Sequence, residues 1–301
     1  MAAQRTARAR VQGAGLDRLL PYLLLAPAVL LVLAVVVYPL ITGVQESMQF
    51  YRFGTAISHV GFSQYRQALD DSEFTGAAWT TLKFVVAAVG IETALGLGLA
   101  LLCVRELPFI RAMRVVLIVP MIVTPVVVGI VFRLIYGSDV GLLSSTSGLF
   151  GGGSVHVLDS EGRAFWGLVA LDVWEWTPLL FLILLAGLQS LPQEPFEAAR
   201  VDGAGAWRTF RDHTLPMLAP VLAVAIVLRT IDAFTTFDQV YVLTHGGPGH
   251  ATELISIYGY DTFFQFQQYG YAAAMLLMVS LVVLACAFLA VRLMRRQAAA
   301  A

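Results

Sequence analysis

The sequence predicts an all-α membrane protein with six transmembrane helices, and three observations predict it. Hydrophobic residues make up 58% of the 301 positions and charged residues 13%, with a mean hydropathy of +0.77, outside the range of soluble domains. Six apolar runs of about 20 residues recur along the chain, each long enough to cross about 30 Å of hydrocarbon. Arginine is distributed unevenly between the segments that join them. Thirteen arginines (Arg5 to Arg18, Arg105 to Arg114, Arg200 to Arg211 and Arg292 to Arg296) fall on one side, against Arg52, Arg66 and Arg163 on the other. By the positive-inside rule, the richer side, with both termini, faces the cytoplasm of a cell membrane.

Residues 1–18 carry Arg5, Arg8 and Arg10 among Ala, Gln and Gly, and are expected to be a flexible cytoplasmic segment. The transmembrane region covers 19–295. Its first span is predicted over 19–42, with Pro21 at its start, Pro27 at a kink and Pro39 at its end. No small-residue cleavage site follows, so the run is expected to persist as a span and not act as a signal peptide. A polar segment, 45–75, leads to spans at 77–104 and 115–136, separated by a short loop with Arg105, Glu106, Arg111 and Arg114. Residues 137–163, including Gly151-Gly152-Gly153-Ser154, read as a flexible outer loop. The remaining spans are predicted over 165–188, 215–237 and 272–293, with 296–301 as a cytoplasmic tail.

The loop 190–214, between the fourth and fifth spans, is patterned in a way that solvation alone does not require. Glu197, Ala198, Ala199 and Val201 form a helical turn of small residues that another surface could approach closely. Asp202 and Gly203 then break that helix, because glycine accepts the left-handed conformation that ends helices. A second short helix follows, with Trp207, Phe210 and Thr214 on one face and Leu215-Pro216 at the start of the next span.

Ionisable residues inside spans cost about 2.5–3.5 kcal/mol each at a helix centre and are functional candidates by default. Arg229 and Asp232 stand three apart in the fifth span, close enough to pair. Asp172 and Glu175 lie in the fourth, beside Trp174 and Trp176. Carboxylates, an arginine and aromatic faces suit a sugar, whose hydroxyls need donors and acceptors and whose apolar face stacks on a ring. The alternative for Arg229 and Asp232 is a structural ion pair. Lys83 and Glu92 read as structural or snorkelling residues, and Arg133 as reaching the interface.

Several classes are excluded. A net charge of −1 argues against nucleic acid as a partner, and Cys103 and Cys286 both sit in apolar runs, supporting neither a disulfide nor a metal site. There is no G-x-x-x-x-G-K-[ST] loop, no nucleophile motif and no cluster at metal-ligand spacing, so no enzyme activity and no bound cofactor are expected in this chain. His245 and His250 flank a turn and are expected to be exposed.

The loop resembles the hallmark of the permease subunits of binding-protein-dependent ABC importers: Glu197-Ala198-Ala199, Asp202-Gly203-Ala204, then Leu215-Pro216. A second stretch, Arg229 to Gly249, resembles the carbohydrate permeases of the maltose type through Asp232-Ala233-Phe234, Phe237-Asp238, Tyr241 to Thr244 and Gly246-Gly247-Pro248. The likeness runs over residues 20 to 295. It implies that the loop is a coupling helix seated in a partner ATPase, with Glu197 facing a basic residue there and Gly203 allowing the bend. It also implies two ATPase subunits that bind ATP and Mg²⁺, a second permease subunit, and an extracytoplasmic sugar-binding protein. Substrate contacts implied by the resemblance are Arg229, Asp232, Ala233 and Thr236, with Trp176 and Leu179 across the pocket. Where the maltose pattern carries asparagines this chain does not, which leaves the sugar open. The rival readings are a secondary transporter driven by an ion gradient, an ABC permease for a non-sugar solute, and a membrane scaffold or sensor.

Overall fold

The computed structural model describes residues 20–52, 54–104, 110–137, 141–149, 153 and 155–300. The N-terminal segment 1–18 and Gly151-Gly152 lie outside the described residues. Helix α1 spans Leu20–Ser47, and a β-hairpin follows, β1 Gln49–Arg52 and β2 Thr55–His59, paired antiparallel. Next come α2 Ser63–Asp70, α3 Ser72–Cys103, α4 Ile110–Ile122, α5 Pro125–Tyr136, α6 Leu142–Leu149 and α7 Glu161–Gln189. The chain continues with α8 Glu194–Val201, α9 Ala206–Phe234, α10 Asp238–Leu243, α11 Ile255–Tyr260 and α12 Tyr269–Ala300.

Helices α3 and α7 run parallel at the centre, with Lys83 beside Phe165 at one end and Gly96 against Leu180 further along. A Cβ at Gly96 would stand 3.0 Å from the Cβ of Leu180 and from the backbone nitrogen of Phe181, so any larger residue would have to push α7 away by a few tenths of an ångström. Close backbone packing of this kind holds membrane helices together where lipid removes the hydrophobic drive between them. Helix α9 closes the layer, burying Ala233 against a core that includes Phe84, Ala88, Leu168 and Leu171. None of the apolar window of α1 is buried, so lipid or another polypeptide must cover it.

Three prolines explain where the helices depart from the sequence reading. Pro39 was expected to end the first span, yet α1 continues to Ser47, and a π-helical turn, Leu33–Val37, lies just before the proline. The same device occurs in α9, where a π turn, Phe210–Thr214, precedes Pro216. Widening the turn changes the carbonyl spacing where the ring would otherwise clash and the N–H is missing. The second helix of the 190–214 loop is therefore continuous with the fifth span instead of separate from it. Pro125 acts the other way. The residue before it, Thr124, is extended (φ −67°, ψ 141°), as a pre-proline residue prefers, and α4 and α5 meet at 96°. Where one span was predicted over 115–136 there is a broken pair, so five helices are long and apolar enough to cross a bilayer, or six if the pair counts as one.

The polar segment 45–75 folds as the hairpin and α2 at the end of the bundle opposite the 190–214 loop, and Asp71 ties it to the spans. Its Oδ1 caps α3 by accepting from the backbone N–H of Glu73 (2.8 Å) and Phe74 (3.4 Å), while Oδ2 accepts from the hydroxyls of Tyr258 (2.8 Å) and Tyr271. Burial pushes the Asp71 carboxyl up, but the bonds from Tyr271, Tyr258, Glu73 and Phe74 outweigh it and hold the group below its ordinary value near 3.8. A depressed carboxyl contributes stability above the ordinary aspartate range and loses it as pH falls through the folded-state value. Asp71→Ala should lower unfolding stability by about 1–2 kcal/mol at neutral pH, the usual cost of losing an N-cap. The gap between wild type and Asp71→Asn in thermal unfolding in detergent should narrow on acidification below pH 4; a gap that is independent of pH would refute the assignment.

Candidate functional site

Two features of the bundle carry chemistry. The first is a buried charged cluster on three helices. Arg229 of α9 is fully buried and bonds Glu92 of α3 through both Nε (to Oε2, 2.8 Å) and Nη2 (to Oε1, 3.1 Å). Nη2 also donates to Oδ2 of Asp172 on α7, and Nη1 to Oδ2 of Asp232 (2.9 Å) one helical turn further along α9. Gln239 of α10 donates to the other oxygen of Asp172 at 3.0 Å, and the Trp176 ring lies 5.3 Å from the guanidinium carbon. One guanidinium thus faces three carboxylates, and buried Glu175 adds an oxygen, Oε2, with no partner among the described residues. The cluster holds an excess of acceptors, which suits it to receive hydroxyl donors. Only Asp232 reaches the surface, its side chain 47% exposed.

The residues named from sequence are therefore not equivalent. Arg229 and Ala233 are fully buried, the first saturated by carboxylates and the second packed in the core, so in this conformation neither offers a surface to a solute. Thr236 is nearly buried, and its carbonyl accepts from Ser256. Trp176 and Leu179 are half-buried. Beyond the end of α9, Phe237 packs on Tyr260 (ring centroids 5.0 Å) and Tyr241 (5.3 Å), continuing the aromatic lining. Two members of the cluster escaped sequence reasoning. Glu92 read, with Lys83, as a structural or snorkelling residue, without Arg229 as its partner, although an acid in an apolar run signals a cation elsewhere. Gln239 lies after the predicted fifth span, and only the turn into α10 brings it back. Lys83 sits over the Phe165 ring at 5.7 Å, and Arg133 donates to the carbonyl of Val242 at 3.1 Å.

The second feature is the 190–214 loop. Helix α8 has Pro195 in its first turn and ends in a left-handed residue, Gly203 at φ +72°. The N–H of Ala204 reaches the carbonyl of Ala199 (2.9 Å), and that of Gly203 the carbonyl of Arg200 (3.1 Å). Ala199 is buried, which turns Glu197, Ala198 and Asp202 outward. Val201 is 88% and Trp207 72% exposed, so the loop presents an apolar edge beside a carboxylate. Large apolar residues exposed on a polar loop mark a contact surface.

Residues 92–299 match the family model described as "Binding-protein-dependent transport system inner membrane component". The chain belongs to that family. It is 36% identical over 268 residues to a trehalose/maltose transport system permease protein of Thermococcus litoralis, covering 88% of this chain and 90% of the relative. It is 33% identical over 295 residues to a trehalose transport system permease protein of Mycobacterium tuberculosis (96% and 94% covered), and 35% identical over 263 residues to a sulfoquinovosyl glycerol transport system permease protein of Agrobacterium fabrum (86% and 85%). Among solved structures, a chain of a bacterial alginate ABC transporter in complex with alginate pentasaccharide-bound periplasmic protein superposes with a TM-score of 0.82 at 21% identity, covering 94% of this chain and 96% of that one, a likeness of fold. This inner membrane component is thus a mostly helical permease of the binding-protein-dependent ABC importer type, as the loop motif predicts.

The cluster makes a direct prediction for this permease. Arg229→Met strands three carboxylates and should lower stability by about 3–5 kcal/mol. Asp232→Asn leaves the Glu92 and Asp172 pairs in place and should stay within about 1 kcal/mol of wild type, since the bond it weakens is half-exposed. Thermal unfolding followed by size-exclusion chromatography in detergent separates the two; equal destabilisation would show that Asp232 is part of the structural clamp.

Proposed function

We propose that this permease forms, with a second permease subunit, the translocation pathway of an ATP-driven importer for a mono-, di- or oligosaccharide or a related polyol. The observation that carries the reading is the exposed helix and left-handed turn from Glu194 to Ala204. It lies at the arginine-rich end of the bundle, the cytoplasmic end by the positive-inside rule. There a pair of ATPase subunits, holding ATP and Mg²⁺, would seat one such loop from each permease in a cleft, with Glu197 facing a basic group and Val201 and Trp207 covered. A second permease subunit also accounts for the unburied face of α1. An extracytoplasmic binding protein would deliver the solute at the opposite end. The saccharide class rests on the sugar systems named among the relatives and on Asp232 and the Trp176 ring, both set against the Arg229 guanidinium, with the aromatic group beyond. Asp232 would accept a hydroxyl donor, and the ring faces would stack on the sugar.

Coupling runs through α9. Because the loop's second helix and the fifth span are one helix, a displacement of Trp207 by the ATPases would be transmitted along α9 to Asp232 without a flexible joint. In proteoliposomes with the partner subunits, Glu197→Ala and Gly203→Val should cut ATP-dependent trehalose or maltose uptake at least tenfold while leaving the complex assembled. A β-branched residue at φ +72° is strained as well as bulky. Wild-type uptake by both variants would refute the coupling role. The buried carboxylates favour a second reading, transport driven by an ion gradient, since intramembrane acids often form proton relays. Uptake by this chain alone, under a proton gradient and without ATP, would establish that reading in place of the first.

A further inference from the structure

At the end of the bundle opposite the coupling loop is a cavity of about 410 Å³ that belongs to neither feature described above. One wall is the hairpin and α2, through Phe50, Tyr51 and Gln67; the other is the turn leading into α12, through Gln267, Gln268 and Tyr271. The volume falls within the range of small-molecule pockets, about 300–1,000 Å³. Its lining is amides and aromatic rings, without a formal charge.

The amides are of two kinds. Gln64, buried at the base of the pocket, donates to the carbonyl of Gln49 at 3.1 Å and ties α2 to the hairpin within one wall. The side chains of Gln67, Gln267 and Gln268 are exposed and have no hydrogen-bond partner among the described residues. Each offers both a donor and an acceptor to whatever enters. Gln267 has φ +56°, a left-handed conformation rare for a residue with a side chain, and such conformations concentrate at ligand sites. The turn is held in place independently of any ligand. The N–H groups of Phe266 and Gln268 bond the carbonyls of Asp261 (2.9 Å) and Thr262 (3.0 Å), and Tyr269 packs edge-on against Tyr51 (5.6 Å) and Phe263 (4.8 Å).

We infer that this cavity is an outer saccharide subsite, a neutral landing place for sugar between the binding protein and the pathway. The inference deepens the saccharide reading and rests on it. Amides that both donate and accept match hydroxyl groups, which do the same, and Phe50, Tyr51 and Tyr271 offer rings against which a pyranose face can lie. An ionic solute would find no counter-charge in the lining, and a concave site favours a small molecule over a protein surface.

The test uses the assembled transporter in proteoliposomes, first assayed for uptake of trehalose, maltose and a wider sugar panel, then irradiated with a diazirine derivative of the sugar it transports. Peptide mass spectrometry should find label within residues 45–70 and 261–275, removed by excess unlabelled sugar. The Gln67→Ala/Gln268→Ala variant should reduce that label at least fivefold. Gln267→Gly, which removes an amide and relieves the left-handed strain, should reduce it without lowering the unfolding temperature. Label confined to the segments holding Trp176 and Asp232, or rim labelling unchanged in these variants, would overturn the subsite and leave the importer intact. A complex that takes up no sugar of the panel would instead overturn the saccharide reading itself.

Discussion

The bundle depends on one cation. Arg229 bonds carboxylates from α3, α7 and α9 in the interior of the bundle, and it offsets the cost of burying Glu92 and Asp172, the latter with help from Gln239. Its planar fork suits the task, giving Glu92 two bonds while leaving an edge for Asp172 and another for Asp232. A lysine could not hold the same geometry. Because the clamp joins α9 to the parallel pair α3 and α7, any motion of α9 must either carry those helices with it or exchange carboxylates on the arginine.

The helices around the clamp are shaped by proline in two opposite ways. In α1 and α9 a π turn absorbs the ring and the helix runs on. At Thr124-Pro125 nothing absorbs it and the chain turns by 96°. The first behaviour makes α9 a continuous element from the exposed Trp207 to the half-exposed Asp232. The second directs α5 across α10, where Arg133 bonds the Val242 carbonyl and Gln239 turns inward to Asp172. The cluster's fourth contributor is thus delivered by the short helix α10 that follows the fifth span.

The two ends of the molecule differ in chemical character. The end that carries the 190–214 loop presents arginines, a carboxylate and exposed apolar side chains. The opposite end presents amides and rings over a neutral cavity, with Asp71 locking the hairpin layer to α11 and α12. Between them lies the acceptor-rich cluster.

The amino-acid sequence by itself determined the membrane class, the apolar runs, the asymmetry of arginine and the helix break at Gly203, because composition, hydropathy and glycine's access to left-handed backbone act locally. The loop motif and the family were legible for the same reason: they are written in adjacent residues. Tertiary structure alone decided that Glu92, 137 positions away, is the principal partner of Arg229, that Gln239 joins the cluster, and that Arg229 and Ala233 are closed to solvent. It also decided which prolines bend their helices, the chain turning at Pro125 while α1, α7 and α9 run on past Pro39, Pro178 and Pro216, and it assembled the outer cavity from two segments far apart in the chain. Burial and pairing across helices depend on how whole faces pack, and no local pattern in a chain encodes them.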